Sequence, residues 1–141
     1  MAHMRAQIRD AVATALGAAT SATVKKSRAY SFNSTSDFML VYTTSERIIE
    51  RAGNLLIREL RVTVEIHASG KVDALDDTLD NYAVEVETTL ENNKLSGLVK
   101  DMSLDSTDGD FDASGETVKG VALLQFNAVY GTSRSDPETQ A

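Results

Sequence analysis

The sequence predicts an α+β fold: a mixed, mainly antiparallel β-sheet with two α-helices packed on one face, plus a protruding hairpin. Two segments repeat apolar residues at the spacing of an amphipathic helix. Two others alternate apolar and polar residues, as half-buried strands do. These patterns follow one another as helix, two or three strands, helix and two strands, which predicts a single domain over residues 4–132.

Both helices are predicted from apolar residues that recur every three or four positions. The segment MRAQIRDAVATALGAAT places Ile8, Val12 and Leu16 on one face, and Gly17 indicates its end. The second helix is the clearer one and begins near Ser69 or Gly70. Its apolar face comprises Val72, Leu75, Leu79, Tyr82, Ala83, Val86 and Leu90. Its opposite face is strongly acidic, and acids in the first turns suit the positive end of a helix.

The first strands are predicted between these helices. Residues 23–30 form a weaker strand with a basic outer face, and the apolar run 38–44 is typical of a buried central strand. A long hairpin follows, with Glu46–Glu50 leading out, a turn at the sequence AGN, and Leu55–Ala68 leading back. Charged residues crowd its tip, so we expect the tip to extend past the core.

The last strands surround an acidic stretch, DSTDGDFDASGE. We expect a strand over 100–106, an acidic loop, and a final strand within ETVKGVALLQFNAVYGT. In that final strand, Ala122, Leu124, Phe126, Ala128 and Tyr130 share one face. The opposite face is partly apolar, which calls for a helix or a neighbouring chain to cover it. Residues 1–3 are interpreted as the remnant of an expression tag, and residues 133–141 as a disordered polar tail.

Charge is distributed unevenly along the chain, whose net charge is −7. Residues 1–61 carry nine Lys or Arg and five Asp or Glu, whereas residues 62–141 carry five and sixteen. Opposite charge on two parts of one small domain suits head-to-tail self-association, although an acidic surface also serves solubility alone. An acidic protein is a poor DNA binder, because affinity for phosphate comes from clustered Lys and Arg.

Several classes of protein are disfavoured by residue content. The chain has no cysteine, which excludes disulfides and thiolate metal sites. No apolar run approaches the roughly 18 residues of a membrane span, and no signal peptide is evident, so we expect a soluble protein made in the cytoplasm.

The aspartates at positions 105, 108, 110 and 112 resemble the ligands of a calcium loop. An EF-hand loop beginning at Asp108 needs glycine at its sixth position and glutamate at its twelfth. Those positions hold Ala113 and Lys119, and both flanking segments read as strands rather than helices. The stretch is therefore interpreted as a solvated loop between strands, and a calcium-responsive binding module remains a minor alternative.

Catalysis has little support. His67 is the only histidine after the tag and lies at an outward position of its predicted strand, where histidines are usually surface or edge residues. No second histidine, nucleophile motif or glycine-rich phosphate loop accompanies it. We therefore expect no enzyme activity, no metal and no cofactor, and a hydrolase using His67 is the least favoured alternative.

The order of these segments resembles a known family. An N-terminal helix, RAQIRDAVATALG, precedes FMLVYTT and a long hairpin that returns as LRVTVEIHAS. The helix VDALDDTLDNYAVEVETTL, the segment LSGLVKDMSLDS, an acidic stretch and the strand ALLQFNAVYGT follow. This order is similar to that of the tail terminator proteins of long-tailed phages, the minor tail protein U group, over residues 4–132.

The resemblance implies a structural virion protein of the head–tail junction, made in the bacterial cytoplasm. Such terminators form a hexameric ring on the head-proximal end of the tail tube, stop its polymerisation, and dock the head connector. DNA passes through the ring without specific binding. Another neck or head–tail joining protein is the nearest alternative.

Candidate surfaces for that role follow from the charged segments. Candidate docking residues are Arg47, Glu50, Arg51, Arg58, Asp105, Asp108, Asp110 and Asp112. Candidate residues of an acidic bore are Asp73, Asp76, Asp77 and Asp80.

Overall fold

The computed structural model describes residues 2–26, 37–112 and 118–141. Its helices and strands are α1 (Met4–Ala19), β1 (Thr23–Lys25), β2 (Phe38–Ala52), β3 (Leu55–Gly70), α2 (Val72–Leu90), β4 (Asp101–Asp112), β5 (Val118–Ser133) and β6 (Asp136–Gln140). A short 3-10 turn, Leu95–Gly97, lies between α2 and β4. The predicted α+β class is confirmed. No helix among the described residues has the length and apolar content needed to cross a membrane.

The sheet has the strand order β1-β2-β3-β5-β4, and β6 pairs with the end of β5. Among the described strands, the β1–β2 pair is parallel and every other pair is antiparallel. The β2–β3 turn contains Gly53 at φ +59°, a left-handed conformation that glycine adopts without steric cost. The sheet is therefore mixed and mainly antiparallel, as predicted.

Both helices pack on one face of this sheet and form a continuous core with it. From α1 the core takes Ile8, Val12 and Leu16, and from α2 it takes Leu75, Val86 and Leu90, among others. The inward residues of the central strands are fully buried, namely Val62, Val64, Ile66, Leu124, Phe126, Ala128 and Tyr130. The alternation in the sequence therefore identified the core-facing sides of β3 and β5 correctly.

Helix α2 packs tightly over Gly120 of β5. A Cβ atom built on this residue would lie 2.9 Å from Cδ1 of Leu79 and 3.0 Å from Cδ2 of Leu75. Both leucines are buried, so neither has free space into which it can withdraw. The absence of a side chain at position 120 sets how closely α2 approaches the sheet.

We expect Gly120→Ala to lower the free energy of unfolding by about 1–3 kcal/mol, because the added methyl group overpacks this contact. Urea denaturation measures the change. Gly109→Ala is the matched control, since a Cβ at position 109 meets only a carbonyl oxygen at 3.7 Å. Equal stability of the two variants would contradict the close packing of α2 on β5.

The predicted hairpin is present, and a further strand pairs with it along its length. Strand β3 pairs with β5 as far as Leu55↔Ser133, so a third strand accompanies the hairpin to its turn. Register shifts occur in β2 between Thr43 and Glu46 and between Ile48 and Glu50. Such bulges reverse the side-chain alternation locally, which explains the irregular pattern of this segment in the sequence.

The structure corrects the prediction of an acidic loop at 105–112. Strand β4 continues through Asp112 and pairs with β5 up to Asp112↔Lys119. The connection between β4 and β5 lies outside the described residues. Aspartate and glycine disfavour strands in general, but pairing along the long and strongly apolar β5 outweighs that preference here.

The C-terminal segment also differs from the disordered tail that was predicted. Residues 136–140 form β6, and the amide of Ala141 donates to the carbonyl oxygen of Gly131 at 3.0 Å. The side-chain amide of Gln7 in α1 donates to the carbonyl oxygen of Glu138 at 2.8 Å. These contacts come from distant parts of the chain, so the polar composition of the tail gave no sign of them.

At the N-terminus, α1 begins at Met4, as predicted, and His3 caps it by accepting a hydrogen bond from the amide of Arg5 at 3.0 Å. Strand β1 is shorter than expected and ends at Lys25. The rest of that prediction, residues 27–30, lies outside the described residues.

Candidate assembly surfaces

The distal end of the β2–β3 hairpin, residues 47–52 and 55–59, is named the arm. Ile49 is 44% exposed there, and Arg47, Glu50 and Arg51 are also exposed. Arg47 Nε donates to Glu59 Oε1 at 2.9 Å, but the arginine side chain is 74% exposed. These three charged residues therefore remain accessible, as a docking role requires.

Arg58 differs from the other arginines that were predicted to dock. Its side chain is only 11% exposed. Its Nη1 donates to Glu46 Oε2 at 3.1 Å, and its Nε donates to Thr132 Oγ1 at 3.0 Å. Its guanidinium also lies 5.9 Å from the ring centroid of Tyr130. Arg58 is engaged inside its own subunit, and its docking role stays a prediction.

Glu46 is the centre of this internal cluster. The bulge in β2 turns its side chain to the helix face, where it is 9% exposed and accepts a bond from Arg5 of α1 at 3.1 Å. The hydroxyl of Tyr130 also donates to it. Burial, followed by this bond and the charge of Glu46, raises the pKa of Tyr130 above its ordinary range. The cluster therefore joins the base of the arm to α1 and β5.

The acids of β4 lie on the opposite face of the sheet from the helices. Asp105 Oδ2 accepts a bond from Arg61 Nη2 at 2.7 Å, and Arg61 Nη1 donates to Gln125 at 2.6 Å. Asp108 and Asp110 are exposed on the same face. The backbone of Asp112 also lies in β4, where it pairs with Lys119. Four acids predicted to lie in a loop are instead aligned along one strand.

Arg61 was missed by sequence reasoning as a partner for these acids. Its place on the polar side of β3 was readable from the alternation of that strand. The register that brings it to Asp105 was not readable, because it depends on the bulge between Leu104 and Ser106. Bulges of this kind have no distinctive signal in a single sequence.

Helix α2 presents the predicted acidic face to solvent. The four candidate bore residues, Asp73, Asp76, Asp77 and Asp80, are all exposed. Val84 lies on the same side of the helix and is 61% exposed. Helix α2 contains no lysine or arginine. The result is a face of uniform negative charge on the opposite side of the sheet from the β4 acids.

His67 had been expected at the surface, but the structure buries it. It is 7% exposed and stacks on Phe38, with ring centroids 4.5 Å apart. Its Nε2 lies 2.8 Å from Glu65 Oε1, and the hydroxyl of Tyr42 donates to the same carboxylate. These contacts tie β2 to β3.

Metal binding by the β4 acids does not agree with their geometry. An EF-hand loop wraps its ligands around the ion, whereas successive outward side chains of an extended strand stand roughly 6.6 Å apart. Among the side chains of the described ranges, no group of three or more His, Asp or Glu residues is placed to hold a metal ion. In the described part of that stretch, residues 105–112 form a strand rather than a loop.

Comparisons with known proteins give limited information. No model of a known protein family matches this chain, and no curated protein matches it. A chain of the virion of a native gene transfer agent (GTA) particle aligns over 90% of this chain and 92% of its own length. The identity is 12% and the TM-score is 0.49. A likeness of this strength does not assign a function to the protein.

Proposed function

We propose that this protein is a structural virion assembly protein that caps the head-proximal end of a phage tail tube. Six copies form a ring that ends polymerisation of the tube and provides a docking surface for the head connector. The finished protein lies at the head–tail junction of the virion, after synthesis in the bacterial cytoplasm. The role requires self-association and two protein partners, with no catalytic step and no cofactor.

The observation that carries this proposal is the order of the elements. The segments on which the resemblance to tail terminators rests fold as α1, β2, β3, α2, β4 and β5, in that order. The strands β3 and β5 are central neighbours, and both helices cover the same face of the sheet. The sequence pattern and the fold therefore support the same family resemblance.

The surface charges support assembly into a ring. A ring needs two different patches on each subunit, one meeting the other on the next copy. The described surface offers acids along β4 as one patch, and exposed basic residues on the arm and at the end of β1 as the other. Complementary patches of this kind favour a head-to-tail contact over contact between identical surfaces.

The acidic face of α2 is our assignment for the bore. DNA that moves through a ring must not adhere to it, and lysine or arginine on the wall would bind phosphate. The outward face of the sheet mixes acids with Arg47, Arg61 and Lys119, whereas the α2 face is uniformly acidic. On charge alone, α2 is the better wall for passing DNA.

Reconstitution with tube protein tests the proposed function. The tail tube protein encoded in the same genome is polymerised with and without this protein, and the products are examined by electron microscopy and light scattering. We expect rings at one end of each tube and an arrest of elongation. A protein that stays monomeric and leaves tube growth unchanged would contradict the proposal. Binding to connector rings without binding to tubes would favour the alternative of another neck protein.

A further inference from the structure

Strand β4 forms one edge of the sheet in the described part of the chain. Its beginning is covered, because the amide of Asn92 donates to the carbonyl oxygen of Met102 at 2.9 Å and the amide of Leu104 donates to Glu91 at 2.8 Å. Beyond Leu104, no described strand pairs with its outer side. Residues 107–110 are exposed there, so this part of the edge is accessible to another chain.

An open edge of this length is a template for strand addition. Proteins usually protect such edges with lysine, proline, bulges or very short strands. Residues 106–112 of β4 contain no lysine and no proline, and the only register shift in the strand comes before them. The aspartates at 108 and 110 also oppose pairing between two copies of this edge, because like charges placed opposite each other are destabilising. The edge is therefore suited to a basic strand.

The other edge of the same sheet is basic. Strand β1 pairs only with β2 among the described strands, and Lys25 and Lys26 are exposed at its end. Lys26 contacts Asp10 at 3.2 Å, with the lysine side chain still 53% exposed. The sheet thus has an acidic edge at β4 and a basic edge at β1.

The strand directions allow these edges to meet between copies. Strand β1 is parallel to β2, and three antiparallel pairings follow from β2 through β3 and β5 to β4. The strand β4 therefore runs opposite to β1. When copies are related by rotation about an axis along the strands, β4 of one copy meets β1 of the next in antiparallel orientation.

We propose that the β4 edge of one copy pairs with the β1 edge of the next copy, with Asp108 facing Lys25. This pairing rests on the proposed ring and specifies its subunit contact. Each copy uses two different edges, as a heterologous contact requires.

Engineered disulfides test the pairing without interference, because the chain has no cysteine of its own. Two double variants share one antiparallel register: Lys25→Cys with Asp108→Cys, and Thr23→Cys with Asp110→Cys. A disulfide forms only when the Cα atoms lie within about 7 Å. We expect mild oxidation of either variant to give a ladder of covalent multimers that ends at one closed ring. Lys25→Cys with Asp76→Cys is the control, with its second cysteine on α2, and it should give no ladder.

Charge exchange provides a test that does not depend on disulfide geometry. Asp108→Lys with Asp110→Lys should abolish the ring in light scattering, and added Thr23→Asp with Lys25→Asp should restore it. Two results together would overturn the pairing: rings that persist after charge reversal, and no ladder from either double-cysteine variant. They would leave the proposed capping function intact. A covalent dimer from Asp108→Cys alone, without a ladder, would overturn it in favour of β4–β4 contact. Failure to form rings or to cap tubes in the unmodified protein would count against the proposed function itself.

Discussion

Replacement of Glu46 by alanine is expected to lower the free energy of unfolding by about 3–5 kcal/mol, the usual cost of leaving a buried charge without its partner. Glu46 and Arg58 have side chains that are only 9% and 11% exposed, so water cannot replace the lost carboxylate well. The same change removes the acceptor for Arg5 and for the hydroxyl of Tyr130. Urea denaturation followed by circular dichroism measures the loss.

Arg47→Ala is the matched control for this variant, because it removes an ion pair from the neighbouring residue of the same strand. The arginine side chain in that pair is 74% exposed, so we expect a cost of no more than about 1 kcal/mol. A second comparison replaces both partners, Glu46→Leu with Arg58→Met, and should recover most of the stability lost in Glu46→Ala. Equal losses from Glu46→Ala and Arg47→Ala would show that the cluster does not stabilise the base of the arm.

The sequence identified the elements whose side chains repeat regularly. Strict alternation in β3 and β5 predicted their buried faces, since a strand between two paired neighbours can bury one side only by placing apolar residues at every second position. The spacing of Val72, Leu75 and Leu79 likewise predicted α2 and left its acids outward. These predictions depend on local periodicity, which a single sequence contains in full.

The sequence did not reveal features that depend on long-range pairing. Strand β4 looked like a loop because DSTDGD has the composition of a turn, yet pairing with β5 extends it to Asp112. Strand β6 is held by contacts with residues 131–133 and with α1. Contacts of this kind join residues far apart in the chain, and composition carries no information about them.

The candidate surface residues show the same difference between what local periodicity predicts and what long-range pairing decides. Exposure of the α2 acids followed from helical periodicity, and it was predicted correctly for all four. The inward position of Arg58 continues the alternation of Leu60 and Val62 in β3, whereas its partner Glu46 is turned toward α1 by a bulge in β2 that no periodic pattern indicated. The pair of Arg61 with Asp105 depends on another bulge, in β4. Charged residues next to irregular strand pairing are thus the ones whose role a sequence predicts least well.

Reversal of charge on the α2 face is expected to turn a ring that lets DNA pass into one that retains it. In the variant Asp76→Lys, Asp77→Lys, Asp80→Lys, three exposed carboxylates become ammonium groups that bind phosphate. Asp73 is left unchanged because it lies in the first turn, where an acid stabilises the helix. We expect tubes capped by this variant to retain DNA at low salt, and to release it as salt displaces the new phosphate contacts.

The matched control, the sheet variant, places the same charge on the opposite side of the sheet and outside the proposed β4–β1 contact, with Glu59→Lys, Asp101→Lys and Asp105→Lys. Both variants move the net charge from −7 to −1, so a difference between them reports position rather than total charge. The rings are first stabilised on tube ends. Filter binding and gel shift then measure how much DNA they retain at a series of salt concentrations. If the α2 variant retains DNA and the sheet variant does not, α2 lines the bore. The opposite result would assign the bore to the sheet, because a wall one subunit thick exposes only one of these faces to the DNA.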